Sequence, residues 1–159
     1  MNKNNRELTL TRIFDAPREL VFKAWTVPKL LAEWWGPKGV TNTIYEFDAR
    51  PLGNIHIVMI AGEELGNFKG IKWPMRGIFH EVIEAEKLVF TSIAIVDDKP
   101  ILENLNTVVL EEHEGKTKMV ILIAVTKTTP EAEGPLSGME MGWNQSLDKL
   151  ADLMLQNKK

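Results

Sequence analysis

The sequence predicts an α+β domain: a curved antiparallel sheet of about six or seven strands around one long C-terminal helix, with two short helices after the first strand. Three observations predict it. Beyond residue 40, short apolar segments of strand character follow one another through tight turns, as antiparallel neighbours do. From Met139 to Leu155 the apolar residues recur at helical spacing. Between the first strand and residue 40, two helix-start signals stand close together.

The first strand is expected over Arg6–Phe14, where Thr9, Thr11 and Ile13 alternate with their neighbours. Asp15-Ala16-Pro17 stops it and starts a helix, with Leu20, Val21, Ala24 and Trp25 at helical spacing. Thr26-Val27-Pro28 starts a second, whose apolar face holds Leu30, Leu31, Trp34 and Trp35. Adjacent helical residues cannot share one narrow face, so one of these two tryptophans is expected to be exposed. Strands are then expected over Val40–Phe47, Asn54–Ala61, Trp73–Ile83, Lys87–Val96, Leu105–Glu112 and Lys116–Thr126. Gly53 is expected to supply a positive φ in the turn after Pro51, and Gly77 to mark a bulge or bend. Residues 62–70 and 129–138 read as loops, and Asp97-Asp98-Lys99-Pro100 as a turn.

In the last helix, Met139, Trp143, Leu147, Leu150 and Met154 form one stripe, with Gly142 and Ser146 as small residues beside it. Glu140, Gln145, Asp148, Lys149 and Asp152 fall on the opposite side. One helix cannot fill the inner surface of such a sheet, so an apolar pocket is expected between them.

The chain has 159 residues, enough for one domain over 1–159 with its core at about 6–155. The net charge of −3 and the scattered lysines and arginines, clustered only at Lys158-Lys159, argue against nucleic acid as a partner. The chain has no cysteine, which removes disulfides, thiolate metal sites and cysteine nucleophiles and suits a reducing cytoplasm. No signal peptide or membrane-length apolar run is visible, so a soluble cytoplasmic protein without membrane insertion is expected. Neither a phosphate-binding loop nor a dinucleotide fingerprint occurs, and no cofactor is expected. The three histidines, His56, His80 and His113, have no metal-site spacing; His56 and His80 could approach across the sheet, but no metal site is expected.

Several segments in order carry a resemblance. They are Arg12-Ile13-Phe14-Asp15-Ala16-Pro17, Ala24-Trp25-Thr26 with Pro28, and Trp34-Trp35-Gly36-Pro37. After them come Asp48-Ala49-Arg50-Pro51-Leu52-Gly53, Met75-Arg76-Gly77, Glu86-Lys87-Leu88-Val89-Phe90-Thr91, and Gly142-Trp143 with Ser146, Leu147 and Leu150. Over residues 6–155 the chain resembles bacterial proteins related to the C-terminal domain of the heat-shock-protein-90 ATPase activator. That group belongs to the SRPBCC, or START-like, superfamily. The resemblance implies the helix-grip fold with a pocket, and by analogy a chaperone partner; it does not imply one reaction. Leu52 departs from the family, which often has a second glycine there.

The pocket wall is expected to include Met59, Trp73, Met75, Phe79, Met119 and Trp143, large aromatic or adaptable side chains on elements that face the helix. Trp25 reads as core. The expected function is binding of a small hydrophobic or amphipathic ligand without catalysis. Two alternatives stay open. One is a protein-interaction module. The other is an enzyme using a pocket carboxylate, for which Glu81 shares the parity of Met75, Gly77 and Phe79. Apolar residues on both faces of Val89–Val96 and Met119–Val125 hint at a covered outer face and a homodimer.

Overall fold

Residues 7–156 are described by the computed structural model, in which seven strands form one antiparallel sheet in the order β1-β7-β6-β5-β4-β3-β2. The strands are β1 Glu7–Phe14, β2 Val40–Phe47, β3 Asn54–Ala61, β4 Lys72–Ile83, β5 Lys87–Val96, β6 Lys99–His113 and β7 Lys116–Thr128. Helices α1 (Arg18–Thr26) and α2 (Pro28–Trp34) follow β1, and a short α3 (Glu133–Ser137) precedes the long α4 (Met139–Gln156). The expected start of β1 at Arg6 and the Lys158-Lys159 pair lie outside the described residues.

Strand β6 is longer than expected. Asp97 and Asp98 both take positive φ, 52° and 64°, which makes them the two central residues of a primed hairpin turn. Lys99 and Pro100 therefore already belong to β6, paired with Val96 and Ile95. Residues 129–138 are likewise not a plain loop: a 3-10 turn at Pro130–Ala132 leads into α3. A second 3-10 stretch, Glu63–Phe68, fills most of the segment between β3 and β4.

Register shifts at Ile44/Glu46, Phe79/Glu81, Ala94/Ile95 and Glu103/Asn104 bend the sheet. Its inner face is covered by α1, α2 and α4. Pairing runs Leu10–Ile121–Val108–Leu88 across β1, β7, β6 and β5, and these positions face inward. Val108, Met119, Ile121, Ile123, Leu147 and Leu150 are fully enclosed, so the stripe of α4 meets the β6–β7 hairpin in a packed core. Arg12 ties β1 to α4, donating to the Asn144 side chain at 3.1 Å and pairing with Asp148 at 3.0 Å.

The polar side of α4 is not all solvent-facing. Glu140, Asp148 and Asp152 are exposed, but Gln145 and Lys149 turn to the segment after α2. Gln145 Oε1 accepts from the Lys38 amide at 3.0 Å, Lys149 Nζ donates to the Pro37 carbonyl at 3.1 Å, and Ser146 Oγ donates to the Gly36 carbonyl at 2.8 Å. Burial lowers the Lys149 pKa, against an opposing pull from Glu64. Ser146 thus serves this clamp rather than close approach to the sheet, and a side chain at Gly142 would meet open space.

The turn before β3 also departs from expectation. The residue with positive φ is Leu52, at 69°, not Gly53. Gly53 is needed for a different reason: a methyl group there would collide with the Asp48 carbonyl.

Candidate functional site

The site builds up from the β3–β4–β5 half of the inner face. Ile55 and Ile57 on β3 pair with Gly77 and Met75 on β4, and Phe79 pairs with Phe90 on β5. Phe47 of β2 pairs with Ile55 and lies edge-on to Phe79 at 5.4 Å between ring centroids. Above this floor stand Trp25 of α1, Leu31 of α2 and Trp35. Together they enclose a void of about 10 Å³ lined only by apolar side chains. Such a volume holds about one water molecule.

Tryptophans form the roof. Trp25 lies edge-on to Trp34 at 4.7 Å and stacks on Trp143 at 6.3 Å, while Trp35 meets Trp143 edge-on at 5.6 Å. Trp34 is fully buried and its indole N–H donates to the Ala24 carbonyl at 2.9 Å. Trp35 is half-buried, so neither of the pair is exposed as expected. The reason is local: α2 ends at Trp34, and Trp35 takes an extended backbone with ψ 132°, which swings its ring back over the sheet. Trp143 is also half-buried and sits on the second turn of α4.

Of the six expected wall residues, Met75 and Phe79 line the void. Trp143 roofs it through Trp25 and Trp35. Met59 and Trp73 pair with each other farther along β3 and β4, with Trp73 against Phe68 at 6.2 Å. Met59 fills the space beside Gly36. Met119 lies in the packed β6–β7 half, fully buried, opposite Arg12 and Leu110. Ile55, Ile57 and Phe47 were open to detection through their alternation on β2 and β3; Phe90 shares that signal on β5. Trp25 is both core and void wall.

Glu81 does not face the interior. The register shift between Phe79 and Glu81 inverts the parity, so Val82 points inward and Glu81 outward. Its side chain is 44% exposed and pairs with Lys87 at 3.0 Å. Among the described residues the buried polar side chains are Asn104, Asn106, Thr117 and Ser146, with no carboxylate. His56 and His80 do not meet. His56 pairs with Arg76 and stacks on Tyr45 at 5.0 Å, whereas His80 bonds Thr91 at 2.7 Å. Burial and the Arg76 charge lower the His56 pKa, with Glu46 opposing. No group of His, Asp and Glu among the described residues could hold a metal ion.

An open seven-stranded antiparallel sheet closed by a C-terminal helix over an apolar, aromatic-roofed interior is the helix-grip architecture of SRPBCC proteins. The chain belongs to the family described as Activator of Hsp90 ATPase homolog 1-like protein, whose pattern matches residues 15–154. It is similar to a solved Chromobacterium violaceum protein at 26% identity and TM-score 0.78, covering 93% of this chain and 96% of that one. The AHSA1 protein of Silicibacter pomeroyi is 26% identical with TM-score 0.76, over 96% of this chain and 100% of that one. An Arthrobacter aurescens protein, 21% identical, shares the fold at TM-score 0.82, over 94% of this chain and 86% of that one. No protein of curated function matches. No helix among the described residues is long and apolar enough to cross a membrane.

Proposed function

We propose that the protein binds a small hydrophobic or amphipathic molecule in the space between α1, α2, α4 and the β3–β5 floor, without converting it. The observation that carries this reading is the void among Trp25, Leu31, Trp35, Phe47, Ile55, Ile57, Met75, Phe79 and Phe90. As it stands the void is too small for an organic ligand, so binding requires the roof to move. Trp35 and Trp143 are the parts able to do so, since each is half-buried and neither sits inside the packed β6–β7 core. Displacing them would join the void to solvent at the second turn of α4. Met75 can change rotamer to fit what enters. Met59 and Trp73 would form the outer end of the same wall, and Met119 would back it from the packed β6–β7 half without touching the ligand. A reducing cytoplasm suits the cysteine-free chain and is the location we take for it.

Native mass spectrometry of the protein purified from a cell extract tests the reading. A bound small molecule, released on denaturation and displaceable by n-octanol, is the expected result. A bare chain that also gives no saturable indole response to n-octanol would exclude it.

One observation favours a second reading, a partner protein or second copy on the outer face. Leu105 and Leu122, on adjacent strands, are 37% and 36% exposed there, and Ile13 is 51% exposed. A chaperone partner, by analogy with the family, would be of this kind.

A further inference from the structure

The apolar interior contains polar atoms that reach no partner among the described residues: Trp25 Nε1, Asn104 Oδ1 and Asn106 Oδ1, with Asn42 Oδ1 at a distance on β2. Buried polar groups are nearly always satisfied, so three such atoms in one region call for an explanation. They are linked by contacts. The Asn106 amide nitrogen donates to the Phe90 carbonyl at 3.2 Å and to Ser92 Oγ at 3.0 Å. The Phe90 ring lies 6.2 Å from Trp25. Asn104 pairs with Ser92 across the β5–β6 ladder and points its amide nitrogen at Met139 Sδ, 4.0 Å away. Trp143, four residues on from Met139 and so on the same face of α4, stacks back on Trp25.

The amide orientation at Asn106 is set by chemistry. The Phe90 carbonyl can only accept, so the group facing it must be the amide nitrogen, and the oxygen is the atom left over. Ser92 Oγ accepts from the same nitrogen and keeps its own proton to give. The region therefore offers two spare acceptors, one spare indole donor and one hydroxyl.

We infer that Trp25, Ser92, Asn104 and Asn106 form the polar end of the ligand site and select a neutral head group that both donates and accepts, a hydroxyl or a primary carboxamide. This rests on the ligand-binding reading above. A carboxylate or phosphate would face two amide oxygens, and an ammonium would find no buried counter-charge, since no Asp or Glu is among the buried side chains described. A neutral donor–acceptor head instead satisfies groups of both kinds, while its apolar body takes the void beside Phe79 and Phe90.

The test compares n-octanol with its isomer heptyl methyl ether, which accepts but cannot donate, and with octanoate, by isothermal titration of the full chain. The expected result is n-octanol binding about tenfold tighter than the ether, with octanoate weakest. Asn104→Leu, whose amide nitrogen makes only the long Met139 contact, should narrow the alcohol-to-ether ratio to about threefold or less while both still bind. Ether binding as tight as alcohol in the wild type, or an undiminished ratio in a folded Asn104→Leu, would overturn the head-group assignment and leave the apolar site standing. Failure of both neutral probes to bind would overturn the two together. The wild-type comparison needs no variant, so a poorly folding Asn104→Leu does not blunt it.

Discussion

The two halves of the interior are built differently. Around β6, β7 and the C-terminal turns of α4, aliphatic side chains such as Val108, Ile121, Ile123, Leu147 and Leu150 leave no exposed surface, and none of them lines the void. Around β3, β4, β5 and the first turns of α4, the space is filled by large rings, and filling is incomplete: the void and the half-buried Trp35 and Trp143 lie on this side, and the unpartnered amide oxygens of Asn104 and Asn106 stand at the seam, on β6 beside β5. Small branched side chains interdigitate closely, whereas flat rings meet edge-on or tilted and leave gaps at their junctions. On the proposed reading the difference separates stability from function: the completely filled half holds the fold, and the incompletely filled half is the one that opens.

The largest expected effect comes from charging the packed half. Leu147→Asp places an unpaired carboxylate in a fully enclosed position and should abolish the cooperative folded state. A native melting transition for that variant would break the comparison at its root.

Next comes truncation on each side. Met119→Ala removes a fully buried side chain and should cost about 2–5 kcal/mol in urea unfolding. Trp143→Ala removes a much larger group, yet should cost less than Met119→Ala, and less than the about 3–5 kcal/mol of a fully buried tryptophan. It should weaken n-octanol binding clearly while leaving the protein folded. If the order of the two stability losses is reversed, the aromatic half is core like the other.

A smaller effect is expected at Leu52. Its backbone is left-handed, its side chain is 77% exposed, and nothing is lost by removing it. Leu52→Gly should therefore raise stability by about 0.5 kcal/mol, the relief of strain less the extra freedom of glycine in the unfolded chain. The gain should leave ligand binding unchanged, since the Leu52 side chain does not line the void and the bond from its amide to the Phe79 carbonyl needs no side chain.

The smallest is a pH effect on the outer face. Burial and Arg76 hold the His56 pKa below its ordinary 6.5, so the unfolded chain takes up the proton first. Its contribution to stability is complete above 6.5 and declines as pH falls through the window below it. The urea midpoint of wild type should drop slightly more than that of His56→Gln on acidification over this range. Equal drops would contradict the assignment.

Much of this arrangement was legible in the sequence. The alternation along β2 to β7 fixes which residues face inward, and the spacing of Leu147, Leu150 and Met154 fixes the stripe of α4. What was not legible came from single-residue departures from regularity. The bulge after Phe79 turns Glu81 outward, and the end of α2 one residue before Trp35 frees that ring from helical geometry. Leu52 takes the positive φ that glycine usually takes, because Gly53 is occupied with avoiding the Asp48 carbonyl. Gln145 and Lys149 read as solvent-facing because the Gly36-Pro37-Lys38 segment they bind lies more than a hundred positions away. The split of the wall residues had the same cause. Met119 shares the inward parity of Met75, but strand order puts it on β7, across β6 from the β3–β5 floor of the void.

The account turns on a soft aromatic half that admits an apolar molecule beside a packed half that does not. The most direct measurement is a toluene titration followed by amide and indole N–H chemical shifts. The account predicts saturable shifts at the Trp25, Trp35 and Trp143 indoles and at the amides of Phe79 and Phe90, with Ile121, Ile123 and Leu147 unmoved. Saturable shifts confined to the outer face around Leu105 and Leu122, or none that saturate, would contradict it.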